Sequence, residues 1–170
     1  HLILQSVYRK GTFMNPQLKQ LLLHFDDAAE WYAPKDFDYR KEMQQVKMVK
    51  ARLEAETDNR FELDDCVQDA SFFAEMYILE KSQHDAKASG GSYAMCYELA
   101  IRFSAFGRFV TIHGAFDETG KQPDLNRIIA TLQENGYRYI PAGELNTLYD
   151  GKNQAMIGEY TWWNRFFDYL

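Results

Sequence analysis

The chain is short of cysteine and of positive charge, and each shortage narrows what it can be. Its 170 residues include two cysteines, Cys66 and Cys96. They lie far apart, form no CxxC, and are too few for a disulfide scaffold or a structural zinc site. Both sit among apolar neighbours in sequence, which predicts buried free thiols and, with them, a reducing cytoplasmic compartment. Lys and Arg number 19 against 25 Asp and Glu, a net charge of −6 with a pI near 5.2. Such a surface repels a phosphate backbone, so the expected partner is a basic protein or a small molecule, and not nucleic acid. No apolar run approaches the roughly 20 residues of a membrane helix, so no membrane partner is expected.

Catalytic and cofactor motifs are missing too. HExxH, HxH, GxGxxG and GxSxG do not occur, and KASGGS lacks the GxxxxGK[ST] pattern and precedes a strand. No cofactor or metal is assigned, and the protein is not read as an enzyme. HLILQSVYRKGTF lacks the pattern of a secretory signal. Residues 1–14 are read as a possible tag or extension, and residues 15–170 as a single domain.

What the chain does have is apolar residues, 46%, and an unusual 15% of aromatics, which bury large areas and dominate interfaces. Asn15-Pro16 is a helix start. Leu18, Leu21, Leu22, Phe25, Ala29 and Tyr32 then recur at helical spacing, ended by Pro34. A second helix begins near Asp36, its buried stripe formed by Tyr39, Met43, Val46, Val49 and Leu53. After Arg60 the period changes. Phe61 and Leu63 alternate with polar residues, and SFFAEMYILEK, MCYELAIRFS and RFVTIHG read as strands, the last two joined by Ala105-Phe106-Gly107 and so antiparallel. Asp124 caps a further helix that Gly136 ends, and Tyr137 to Ile140 is a short strand. GELNTLYDG makes one or two helical turns. Tyr160 to Trp163 is expected to add a strand or lie along the sheet, and Asn164 to begin a final turn that packs Phe166, Phe167 and Leu170 inward. The fold class is α+β: two N-terminal helices, an antiparallel sheet of three to five strands, a helix, a short strand and an aromatic closing segment packed on the sheet.

Two groups of residues stand out as candidate sites. Glu62, Asp64, Asp65 and Asp69 crowd the stretch ELDDCVQD, where like charges repel and folding alone gives no reason to gather them. Glu75 and Asp85 extend this patch if they share its side, and one of the adjacent Trp162 and Trp163 should be partly exposed as an anchor, because neighbours on a strand face opposite ways. The other group is His113 with Asp117 and Glu118, a histidine at a strand end with carboxylates nearby, suited to acid–base work in a pocket between sheet and helices. His24 reads as a partly buried structural residue.

The succession SFFAEMYILEK, YELAIRFSAFGRFVTIHG, DLNRIIATLQENGYRYIP and TWWNRFFDYL resembles the immunity proteins of bacterial polymorphic toxin systems. These are small, acidic, cytosolic α+β proteins, each blocking one cognate toxin. The resemblance is one of element order and style from about Phe61 onward, and carries no site residue across. It implies a protein-binding inhibitor that occludes a cognate toxin domain, plausibly a basic nuclease. The residues also leave open a small-molecule binding module or enzyme with a pocket near His113, and a subunit of a larger assembly.

Overall fold

The computed structural model describes residues 14–79, 97–114 and 124–170. Pro16–Phe25 forms α1, with Asn15 accepting from the Gln17 backbone N–H as its N-cap. Tyr39–Glu56 forms α2, capped by Asp38, whose side chain accepts from the Lys41 N–H. Strands β1 (Glu62–Asp64), β2 (Phe72–Leu79), β3 (Tyr97–Ser104), β4 (Phe109–His113) and β5 (Arg138–Tyr139) pair in chain order. The first four are antiparallel, as the short β3–β4 turn requires. β5 is parallel to β4, because α3 (Leu125–Glu134) intervenes and returns the chain in the same direction. A 3₁₀ turn over Ala142–Leu145, another over Gln154–Met156, and α4 (Trp162–Phe167) complete the chain. No helix among the described residues is long and apolar enough to cross a membrane.

Cross-strand register explains the layering. Leu63, Met76, Ile101 and Ile112 are successive partners across β1 to β4 and face one way. α2 and α3 cover that face, joined by Arg127 to Glu56 at 2.9 Å and by Arg52 bridging Glu56 and Glu134. Alternate residues turn to the second face, where Phe109 meets Phe25 of α1 and Phe166 of α4 edge-on. Core thus lies on both sides of the sheet, which is why β2 reads as a nearly continuous apolar run with every residue but Tyr77 buried.

α1 does not run to Pro34. It stops at Phe25, and Tyr32 is 48% exposed. Asp26 and Arg165 are both fully buried and joined at 2.6 Å. The carbonyls of Asp27, Glu30 and Trp31 accept from the same guanidinium at 3.1–3.3 Å. Asp26 leaves the helical conformation (φ −74°, ψ 146°), and beyond it the Asp27 side chain and the buried Arg165 guanidinium hold the segment in a non-helical course. Tyr149 donates to the other Asp26 oxygen at 2.6 Å, and the Lys152 N–H to that same oxygen at 2.7 Å. Burial, then the Asp26 hydrogen bond, push the Tyr149 hydroxyl up to about 12.

The turn expected from Asn164 is part of a helix that already begins at Trp162, so Trp162 and Trp163 are helical and not in a strand. Thr161 accepts from the Asn164 N–H and Asn164 reaches back to the Thr161 N–H, a capping box that a reading by alternation misses. Beyond α4 the chain pairs with residues 69–71: Leu170 donates to the Asp69 carbonyl, Ser71 to that of Asp168, and Ala70 bridges Tyr169.

Candidate protein-binding surface

β1 is the first strand of the sheet and carries acid at both its ends. Glu62 lies opposite Tyr77 and Asp64 opposite Glu75, so all four stand on the second face of the sheet. Glu75 does share the side of the acidic stretch, but it is not part of the surface: the residue is 9% exposed. Two carboxylates placed directly across from each other repel, and Arg102, opposite Glu75 on β3, offsets this with its Nε 3.1 Å from Glu75 Oε1. His113 Nε2 lies 3.1 Å from the same oxygen, the geometry of an imidazole N–H donating to a carboxylate. Burial raises the Glu75 pKa, but the His113 hydrogen bond and the Arg102 charge outweigh it and leave the carboxyl below its ordinary value.

This cluster fastens the closing segment to the sheet. Arg102 Nη1 donates to the Phe167 carbonyl at 2.7 Å and approaches Asp168 at 3.8 Å. Its guanidinium lies 4.4 Å from the Phe72 ring centre and 5.5 Å from that of Trp163. His113 meets Trp163 and Tyr97 edge-on. His113 therefore has a carboxylate partner, though from β2, thirty-eight residues back in the chain. The partners expected from sequence, Asp117 and Glu118, lie outside the described residues, as does Asp85. Among the described residues no cluster of three His, Cys, Asp or Glu is placed to hold a metal.

Trp162 is not an exposed anchor. It is fully buried, stacked on Phe166, with its Nε1 donating to Asp150 at 3.1 Å and Lys19 over its ring. Trp163 is half-buried over Arg102. Three tyrosine rings are exposed instead: Tyr32 at 48%, in the 26–38 loop, and Tyr39 at 45% and Tyr169 at 53%, which lie beside the acidic stretch. Tyr39, expected in the α2 stripe, occupies the first turn, where its hydroxyl donates to the Asp65 carbonyl. Tyr169 lies edge-on to Phe72. Both phenols are raised by burial first; Asp65 and Asp64 add to it at Tyr39, while at Tyr169 the Arg102 charge opposes and Glu75 and Asp64 add. The acidic end of β1 thus sits between two tyrosines, one from each face of the sheet.

Within that stretch Asp64 and Asp65 are half-buried and Asp69 exposed, with Lys47 3.5 Å from Asp65. Asp69 adopts a positive φ of 52°, a conformation that aspartate tolerates better than most residues. Cys66 is exposed rather than buried, so it gives no support to the compartment expected from buried thiols; Cys96 lies outside the described residues. The Cys66 thiol is pushed up by the Asp65 hydrogen bond and charge, which favours its protonated, less nucleophilic form. His24 is exposed, edge-on to Phe25.

A cleft of about 550 Å³ opens elsewhere, between the 26–38 loop, the first turn of α2 and the β3–β4 turn. His113 is not among its lining residues, so this is not the pocket expected there. No protein-family model, curated protein or solved structure matches the chain.

Proposed function

We propose that the protein is a protein-binding inhibitor of the immunity type, which occludes a cognate toxin domain with a basic, nuclease-like surface. The observation that carries this reading is the acidic stretch at β1 held between the half-exposed Tyr39 and Tyr169. Tyrosine supplies large contact area at low entropic cost, and binding energy concentrates on such rings. Carboxylates at Glu62, Asp64, Asp65 and Asp69 around them attract a basic partner over distance and raise the rate of encounter. The same residues have a second use, since charge on an outer strand prevents edge-to-edge aggregation. That use needs no flanking aromatics.

The test is co-expression with the product of the neighbouring upstream gene, which this reading expects to be a toxin, followed by association kinetics on the purified pair. Growth should be restored and a complex form. Asp64→Lys with Asp65→Lys should slow association at least tenfold at low salt and much less at high salt, the signature of steering. Tyr39→Ala should speed dissociation about tenfold or more. No complex and no rescue of growth would sink the proposal. A second reading, a small-molecule enzyme, draws on the His113–Glu75 contact; it requires a turnover that His113→Gln removes while the fold remains.

A further inference from the structure

α2 buries Met43, Val46, Val49 and Leu53. On its opposite side Arg40, Gln44, Lys47, Met48, Ala51 and Ala55 are all exposed and recur at helical spacing. This outer stripe carries no acid, although the chain as a whole is acidic. Met48, 63% exposed, stands near its middle, and the next two turns present alanine. Short side chains there let a second helix approach to an axis separation of about 8 Å. Lys47 extends its ammonium sideways to Asp65 at 3.5 Å, which leaves its aliphatic stem along the stripe.

Charge along the helix says what fits against it. A helix is stabilised by acid in its first turn and base in its last. α2 has Arg40 and Lys41 in its first turn, and neither side chain has a hydrogen-bond or ion-pair partner among the described residues. Glu42, in the same turn, is taken by Arg108 at 2.8 Å. The last turn holds no basic residue. Glu56 there is answered from the flank by Arg52 and Arg127. An antiparallel helix of the same kind corrects both ends, because it sets Arg40 beside the other helix's C-terminal turn. The spacing allows this without a change of register. About a point between positions 47 and 48, Arg40 mirrors Ala55, Gln44 mirrors Ala51, and Lys47 mirrors Met48. A two-fold axis there makes the stripe complementary to itself, as an isologous contact requires.

We infer that the outer face of α2 pairs antiparallel with the same face of a second copy of this chain, about a two-fold axis between Lys47 and Met48. Met48 of each copy then lies on the stem of Lys47 of the other, and Arg40 lies against Ala55 and the turn that ends in Glu56. One helix pair about 27 Å long buries no more than the roughly 1,200 Å² of small, transient interfaces, so the dimer is a weak one that forms at micromolar concentration. Tyr39 lies off this stripe, turned to Asp65 beside β1. The pairing therefore uses a different surface from the one proposed to bind a toxin, and either can stand without the other.

The test is sedimentation equilibrium of the full chain over a range of concentrations. The wild type should pass from monomer to dimer with a dissociation constant of about 10–100 μM. Ala51→Arg, which sets a cation against Gln44 and Lys47 of the second copy, should weaken the dimer about tenfold or more, as should Arg40→Glu. Orientation is read by a charge swap. Positions 40 and 55 of one chain lie about 22 Å apart along the helix but adjoin across the axis, so adding Ala55→Lys to Arg40→Glu should restore dimerisation. All three positions are exposed, and the circular dichroism of each dilute variant reports that it is folded. A chain that stays monomeric at about 1 mM, a dimer that neither single variant weakens, or a double variant no better than Arg40→Glu would each overturn the inference.

Discussion

Arg165 shows how one side chain sets the course of a distant segment. Its guanidinium is fully buried, lies 4.2 Å from the Phe106 ring centre, and is answered by one carboxylate and three carbonyls of the 26–31 segment. A buried pair of this kind contributes little net stability relative to apolar residues of the same volume, but removing one partner strands the other. Asp26→Ala should therefore cost about 3–5 kcal/mol, read as a fall in the denaturant midpoint at unchanged slope. Asp26→Leu combined with Arg165→Met should cost less than Asp26→Ala alone. A double variant no better than the single would show that the carbonyl cage, and not the charge pair, governs the site. Gly151 belongs to the same cluster, because a Cβ there would run into the Asp26 carboxylate and the Tyr149 ring.

At the scale of elements, α4 is six residues long, too short to be stable by itself. Its cap and its docking hold it. Thr161→Ala removes the cap and should cost about 1 kcal/mol in thermal or denaturant unfolding. The docking depends on Glu75, whose folded pKa is depressed, so its contribution is present above the ordinary value of 4.5 and is lost as pH falls below it. Unfolding midpoints measured from neutral pH downward should fall more steeply in the wild type than in Glu75→Gln, the difference opening below pH 4.5. Equal slopes would mean that the Arg102 cluster does not hold the segment. These two helical ends also mark where local pattern misleads. Ala29 and Tyr32 sustain a helical period past Phe25, but the cation that the 26–31 segment wraps lies at position 165. Thr161 and Asn164 carry the capping signal for α4, but they lie inside a run of aromatics that suits a strand equally well.

Across the whole molecule, the outline was legible because links are short and periods clear: β3 and β4 are joined by four residues, and Leu125, Ile128 and Leu132 mark one side of α3. The site was legible only in part. Repulsion among Asp64, Asp65 and Asp69 is visible in a string of letters, whereas the exposure of Tyr39 and Tyr169 depends on which neighbours pack beside them. Nor could spacing bring Arg102 and His113 against Trp163. Those pairings accompany the isolated bridge and two backbone hydrogen bonds that residues 168–170 make with residues 69–71, which tie the closing segment to the middle of the chain. A chain shortened to end at Tyr160 should lose cooperative unfolding and its near-ultraviolet dichroism, since Trp162, Phe166 and Phe167 are all fully buried. A sharp transition in that shortened chain would show that the sheet and first three helices suffice. The enclosure of Arg165 has a practical corollary. An arginine-selective dicarbonyl reagent will label the exposed Arg40 and Arg60 at once and reach Arg165 only when the 26–38 loop lifts. The mass shift at that one position then becomes a clock for how often the interior opens.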